Sequence, residues 1–293
     1  MVDQAEGLRQ MMREMGEETN AARAEKKQRI ITVASGKGGV GKTNVAVNLA
    51  LKFQEKGKNT LLMDGDLGLS NVNVLLGEIP RFNLFHVYKG VKTLPEIITP
   101  TRWGIDIIAG ASGYRQLANL AGAERERFLL QFNGMEKYEI IIIDAGAGIS
   151  DTVLDFVLYA DEVLIVTTPE PTSITDAYGI IKAIAAEKKD RPVKLIINRC
   201  RDMAEGRKTA IHILDICRRF LSLEVENLGL VYDDPAVRES VSRQKPFTCL
   251  YPKHKVSVCL DHLAQRLLQL EPDKLPAGGI RQFFLNIFAR QGS

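Results

Sequence analysis

No apolar run in this chain reaches the ~20 residues that a bilayer-spanning helix needs, so any membrane contact has to be peripheral. A secretory signal is missing as well, and the four cysteines, Cys200, Cys217, Cys249 and Cys259, never fall in a Cys-x-x-Cys spacing. Neither a disulfide framework nor a zinc knuckle is supported, and reduced thiols in the cytoplasm are the expectation. A strong excess of either charge is also lacking. The formal net charge of +3 over 293 residues gives no argument for nucleic acid, whose binders concentrate a basic face. There is no internal repeat and no low-complexity block. Core-forming residues, by contrast, are present in ordinary amounts: 45% of the chain is hydrophobic and 26% charged, which excludes general disorder.

One stretch organises the rest. Gly36-Lys37-Gly38-Gly39-Val40-Gly41-Lys42-Thr43 follows an apolar run at 30–34 and precedes a helical pattern at 44–53. Strand, glycine-rich loop and helix in that order make a phosphate cradle. Backbone N–H groups turn inward with φ angles that side chains forbid, Lys42 reaches the β- and γ-phosphates, and the Thr43 hydroxyl takes Mg²⁺. Gly38, Gly39, Val40, Gly41 and Asn44 complete the expected nucleotide contacts.

Downstream, apolar runs alternate with helical patterns. Strands fit 60–63, 105–109, 139–143, 163–167, 195–197 and 228–231, and helices fit 124–135, 151–159, 174–187, 208–221 and 254–270. Such alternation predicts parallel strands buried on both faces. The fold class expected is α/β: a P-loop NTPase with a doubly wound, mainly parallel sheet and helices on both faces, plus amphipathic helices at the two chain ends. The divisions expected are 1–29 for an N-terminal helix and linker, 30–275 for the ATPase body, and 276–293 for a hinge and terminal helix.

In a doubly wound sheet the ligand sits at the carboxyl ends of the strands, and the candidate chemistry collects there. Asp64 and Asp66 end the second strand at an i, i+2 spacing that turns both carboxylates to one side, with Asn71 in the following loop. Ile140-Ile141-Ile142-Ile143-Asp144 is a buried run closed by a carboxylate, the second Mg²⁺ anchor expected of a P-loop site. Ala145 follows it, so no glutamate base is available at that point. The run at 195–197 ends in Asn198-Arg199-Cys200-Arg201, which lacks the aspartate of a guanine-reading Asn-Lys-x-Asp loop, and adenine is therefore favoured. Asn198 is open to a second reading as a helix cap, as is Ser173 before a helix starting at Ile174.

Lys37 is a second cation placed too early in the loop to serve its own nucleotide. Together with the surrounding Gly-Lys-Gly-Gly-Val-Gly-Lys-Thr it resembles the deviant Walker A motif of the MinD/ParA/nitrogenase iron-protein class. The resemblance implies a homodimer that encloses two ATP, with Lys37 crossing the interface to the partner's nucleotide. It also implies that Asp64 helps hold Mg²⁺ while Asp66 orients the attacking water. Asn198 and Arg199 are expected against the base, with Asp233 close to it, and Pro169-Glu170-Pro171-Thr172-Ser173-Ile174-Thr175-Asp176 on the dimer face.

The chain ends choose among relatives. Leu8, Met11, Met12 and Met15 form one helical stripe behind Asp3-Gln4-Ala5-Glu6-Gly7, and after Pro276-Ala277-Gly278-Gly279 the residues Ile280, Phe283, Phe284, Ile287 and Phe288 share a face flanked by Arg281 and Arg290. Both ends resemble those of flagellar-number regulators within the class. That likeness implies a slow, regulated ATPase that moves between the cytoplasm and the inner face of the cell membrane. It further implies that Asp3, Gln4 and Leu8 act on the GTPase FlhF, that the body handles components of the flagellar switch complex (C-ring), and that the terminal helix binds anionic lipid when ATP is held. Three alternatives stand beside it: a cell-division MinD-type septum regulator, a ParA-type DNA-partitioning ATPase, and a terminal helix whose phenylalanines simply cover the core.

Overall fold

Along Ile140-Ile141-Ile142-Ile143 every side chain is buried, yet they do not share a core: Ile141 and Ile143 enter one apolar cluster, Ile140 and Ile142 the other. Successive side chains of a strand point to opposite faces, so a continuous apolar run is the mark of a sheet covered on both sides. The computed structural model describes residues 28–66, 71–110, 122–132, 135–187, 192–221, 223–269 and 279–291. Within them the sheet comprises β1 (Arg29–Ser35), β2 (Thr60–Gly65), β3 (Ile98–Pro100), β4 (Asp106–Ile108), β5 (Ile140–Ala147), β6 (Glu162–Thr167), β7 (Val193–Cys200) and β8 (Val225–Tyr232). Their order is β3-β4-β2-β5-β1-β6-β7-β8. Neighbours are parallel except β3 and β4, which are antiparallel. The chain first builds outward from β1 on one side and later on the other, which leaves a crevice over the carboxyl end of β1.

The expected fold class is thus observed, with one strand added. β3 is three residues long and includes Pro100, and nothing in so short a run announces an edge strand. The strand expected at 105–109 is shorter, Asp106–Ile108. The helix expected near 124–135 stops at Leu130 and is followed by a 3₁₀ turn at Met135–Lys137.

The helices Lys42–Glu55 and Lys255–Gln269 cover one face, burying Val45, Leu49, Phe53, Leu260, Leu263 and Leu267. Helices Asp151–Tyr159, Pro171–Glu187, Met203–Leu221 and Gly279–Gln291 cover the other. The last of these is the expected membrane helix, and it is seated in the body. Ile280, Phe283, Phe284, Ile287 and Phe288 are each 3% exposed or less. Phe284 stacks on Phe132 at 4.9 Å between ring centroids, Phe283 lies parallel to Phe156 at 6.2 Å, and Phe128 meets both Phe284 and Phe288 edge to face. Polar groups fix the same helix at both ends: Ile280 N–H donates to Gln28 Oε1 at 3.1 Å, and Arg290 binds the buried Asp155 at 2.9 Å and Glu187 at 3.3 Å. The reason is burial, since five large apolar side chains on one face find a complementary apolar face a few ångströms away.

Gln28 and Arg29, expected in the N-terminal linker, are buried too. The Gln28 amide donates to the Met135 and Tyr138 carbonyls while its oxygen holds the terminal helix, so one side chain joins the start of β1 to the end of the fold. Arg29 and Lys194 both bind Glu162, closing a buried ionic trio at the strand ends remote from the glycine loop.

Candidate nucleotide site

The glycine loop leaves β1 and turns into helix Lys42–Glu55, and its shape is set by neighbours as much as by its own sequence. Gly36 presses against helix Pro171–Glu187: a Cβ there would fall 2.0 Å from the Asp176 carbonyl oxygen. Gly41 has φ +89, in the left-handed region that glycine tolerates, and the Asn198 amide would lie 2.3 Å from a Cβ. Asn198 therefore has a role that neither of its expected readings supplied. From the end of β7 its Nδ2 donates to the Val40 carbonyl at 2.7 Å, bracing the loop from behind.

Lys42 and Asp144 meet at the loop's mouth, with Nζ 2.6 Å from Oδ1, and both side chains are nearly closed to solvent. Burial raises the Asp144 pKa from its ordinary value. Lys42 and the Thr43 hydroxyl oppose that shift, and Asp66 adds to it. The other Asp144 oxygen, Oδ2, is buried with no hydrogen-bond partner. A buried carboxylate oxygen without a hydrogen-bond partner, beside the Thr43 hydroxyl, is a donor set that suits a hard divalent cation, so the residues present fit Mg²⁺. Asp64 stands level with Asp144 on the neighbouring strand. Its carboxylate, fully buried, accepts N–H groups from Asp66 at 3.0 Å, Asn71 at 3.1 Å and Val72 at 3.4 Å. Asp64 thus ties Asp66 to Asn71 and Val72. Asp66 is half-buried.

Beside the loop opens a cavity of about 820 Å³, large enough for a nucleoside. Gly41, Asn44, Asn198, Arg199, Tyr232 and Asp233 line it, so the expected base-side residues come together. Arg199 is held at φ +56, and the Asp233 N–H donates to the Cys200 carbonyl at 2.9 Å, linking the ends of β7 and β8. Thr168, Arg201, Glu205 and Arg238 also line the cavity and were not anticipated. Thr168 was accessible to strand-end reasoning, since it follows the buried β6; Arg238, on a separate helix, carried no signal.

On the exposed rim, Lys37 Nζ donates to Thr172 Oγ1 at 2.9 Å and lies 3.4 Å from Glu170 Oε2. Within one protomer the early lysine is held by its own chain's 169–176 segment. Ser173 is not a cap: the helix begins two residues earlier with Pro171, and Ser173 is buried inside it. Asp3, Gln4 and Leu8 lie outside the described residues.

A glycine loop at the carboxyl end of a central parallel strand, its lysine on a strand-end aspartate and an adjoining nucleoside-sized cavity, defines a P-loop nucleoside triphosphatase site. The sequence places it further. The family model described as "CobQ/CobB/MinD/ParA nucleotide binding domain" matches residues 31–247, and the chain belongs to that family. It is an ATPase whose site takes ATP or ADP with Mg²⁺.

Among curated relatives, antiactivator FleN of Pseudomonas aeruginosa is 35% identical over 81% of this chain and 85% of its own. Flagellum site-determining protein YlxH of Helicobacter pylori is 35% identical over 90% of this chain and 91% of its own. Among solved structures, septum site-determining protein MinD of Pyrococcus horikoshii, complexed with Mg-ADP, aligns with a TM-score of 0.67 at 26% identity, covering 83% of this chain and 97% of its own.

Proposed function

We propose that this chain is an ATP-gated dimerising switch that regulates the number and placement of flagella. The observation that carries the reading is the 35% identity, over 90% of this chain and 91% of its own, to a relative named as a flagellum site-determining protein. Septum-site MinD of Bacillus subtilis, at 29% identity over 81% of this chain, favours the division reading less.

In the cycle, Lys42 and the loop N–H groups bind the β- and γ-phosphates. Thr43, Asp144 and Asp64 would hold Mg²⁺, which when bound supplies positive charge against the phosphates. Asp66 orients the attacking water, because no glutamate follows Asp144. Lys37 exchanges Thr172 and Glu170 for the partner protomer's phosphates, so ATP favours the dimer. Asp66→Ala then binds MgATP, fails to turn it over and accumulates as dimer. Molar mass in solution with ADP and with ATP tests this; an ATP-loaded monomer overturns it.

Two further elements belong to the proposal. The segment at 1–20 stimulates an FlhF-type GTPase through Gln4 and a Leu8/Met12 stripe, so the isolated peptide should suffice and Gln4→Ala should abolish the effect. The terminal helix binds anionic membrane only after leaving its seat in the body. Two freed helices on one dimer make the second contact intramolecular, which raises avidity by ~10²–10⁴ over one helix. Switch-complex proteins are the partners proposed for the body.

A further inference from the structure

Helix Met203–Leu221 packs on β7 and β8 through Gly206, Thr209, Ala210, Ile213 and Cys217. Its outer face is unlike an ordinary solvated helix surface. Ile211 stands at its centre, 66% exposed. At 100° per residue, Leu214, Arg207 and Arg218 flank Ile211 on one side, and Lys208 and Asp215, whose carboxylate is taken up by Arg219, on the other.

The cations on this face are free to act. Arg201 is paired with Asp202 and Glu205, and Arg219 holds Asp215 at 2.9 Å, but Arg207, Lys208 and Arg218 meet no carboxylate within ion-pair distance among the described residues. At the C-terminal end of the stripe a cavity of about 420 Å³ opens between Leu214, Arg218, Leu223 and Val225, with Glu224 on its wall. That is room for large side chains from outside. Ile211 and Arg218 are seven residues apart, ~10 Å along the axis, which is the spacing of apolar anchors two turns apart on a docking helix.

We propose that this face is a docking site for an acidic amphipathic helix of another protein. One apolar anchor of that helix enters the cavity, a second covers Ile211, and its carboxylates meet Arg207, Lys208 and Arg218. Nucleic acid fits less well, because the centre of the face is apolar rather than hydrogen-bonding. The inference stands whether or not the flagellar reading holds.

Three synthetic amphipathic helices of roughly 16 residues provide the probe, sharing one Leu/Phe face and differing only in having Glu, Gln or Lys at the polar positions. Fluorescence anisotropy with the full chain in MgADP should show the Glu peptide binding at least roughly 10-fold more tightly than the Gln peptide, and no binding of the Lys peptide. Ile211→Asp, and separately Arg207→Glu with Arg218→Glu, should weaken the Glu peptide by a similar factor and leave ATP turnover and the melting temperature unchanged. Equal binding of the Glu and Gln peptides, or variants that bind like the parent, would overturn the proposal. So would a short DNA duplex, or phosphatidylglycerol vesicles, that bind the parent more tightly than the Glu peptide and are lost on the same substitutions.

Discussion

The two faces of this sheet are both apolar, one rich in aromatic rings and the other mostly aliphatic, and they are closed in different ways. On one, helix Lys42–Glu55 follows its strand directly through the glycine loop, so the nucleotide site and the part of the cover next to it come from a single local unit, with helix Lys255–Gln269 alongside. On the other, the cover includes a helix from the far end of the chain, seated through five apolar side chains and held at its ends by Gln28 and by Asp155 and Glu187. The first face carries the chemistry, and the second carries the helix whose release is proposed above. A local unit closes with little loop entropy, whereas the terminal helix has to be recruited across the whole chain.

The sharpest way to break this comparison is to damage each face in turn. Phe284→Ala removes a ring that contacts Phe128, Phe132, Phe283 and Phe288, and should lower the unfolding free energy by about 3–5 kcal/mol. Denaturant unfolding measures it, and a change under 1 kcal/mol (roughly the cost of a well-tolerated repacking) would mean that the helix is only loosely seated. On the site face, Lys42→Ala should leave the fold in place and weaken MgATP binding by at least about 100-fold, because a charge-assisted phosphate contact in a buried site is lost; calorimetric titration decides.

Next in size is Asp155→Asn, which loosens the terminal helix without altering it. The Arg290 guanidinium would trade a buried carboxylate for a neutral amide, at about 1–3 kcal/mol. Co-sedimentation with anionic vesicles in the absence of ATP should rise; unchanged or reduced co-sedimentation argues against release of the helix as the route to membrane. Lys37→Ala should keep mononucleotide affinity and lose ATP-driven dimerisation, read by sedimentation. An unaltered dimer fraction would remove Lys37 from the interface.

The smallest effect lies at Glu96, on the same side as the terminal helix. Its hydrogen bonds from Lys92 and from the Thr93 backbone and hydroxyl draw its pKa from 4.5 down to about 2. A depressed folded-state pKa contributes stability that is present above pH 4.5 and fades as pH falls toward 2. The stability gap between the parent and Glu96→Gln should therefore close over that window, and a gap independent of pH would show that the charge contributes nothing.

Residues 36–43 announced the phosphate loop because the chemistry demands glycines, lysine and threonine in one contiguous order. Asp64 and Asp144 were legible for a related reason, each ending an apolar run. Local pattern also gave the alternation of strands and helices, hence the parallel sheet. Yet the sequence could say only that 280–288 is amphipathic. An apolar helical face is the same pattern whether it meets lipid, a partner or its own core, and the choice depends on whether a complementary surface lies within reach, which the tertiary structure supplied in Phe128, Phe132 and Phe156. The same holds for Asn198 and Lys37. Their residue types were visible in sequence, but a hydrogen bond to Val40 and a grip on Thr172 join positions more than a hundred residues apart, and only the folded chain brings such groups within 3 Å.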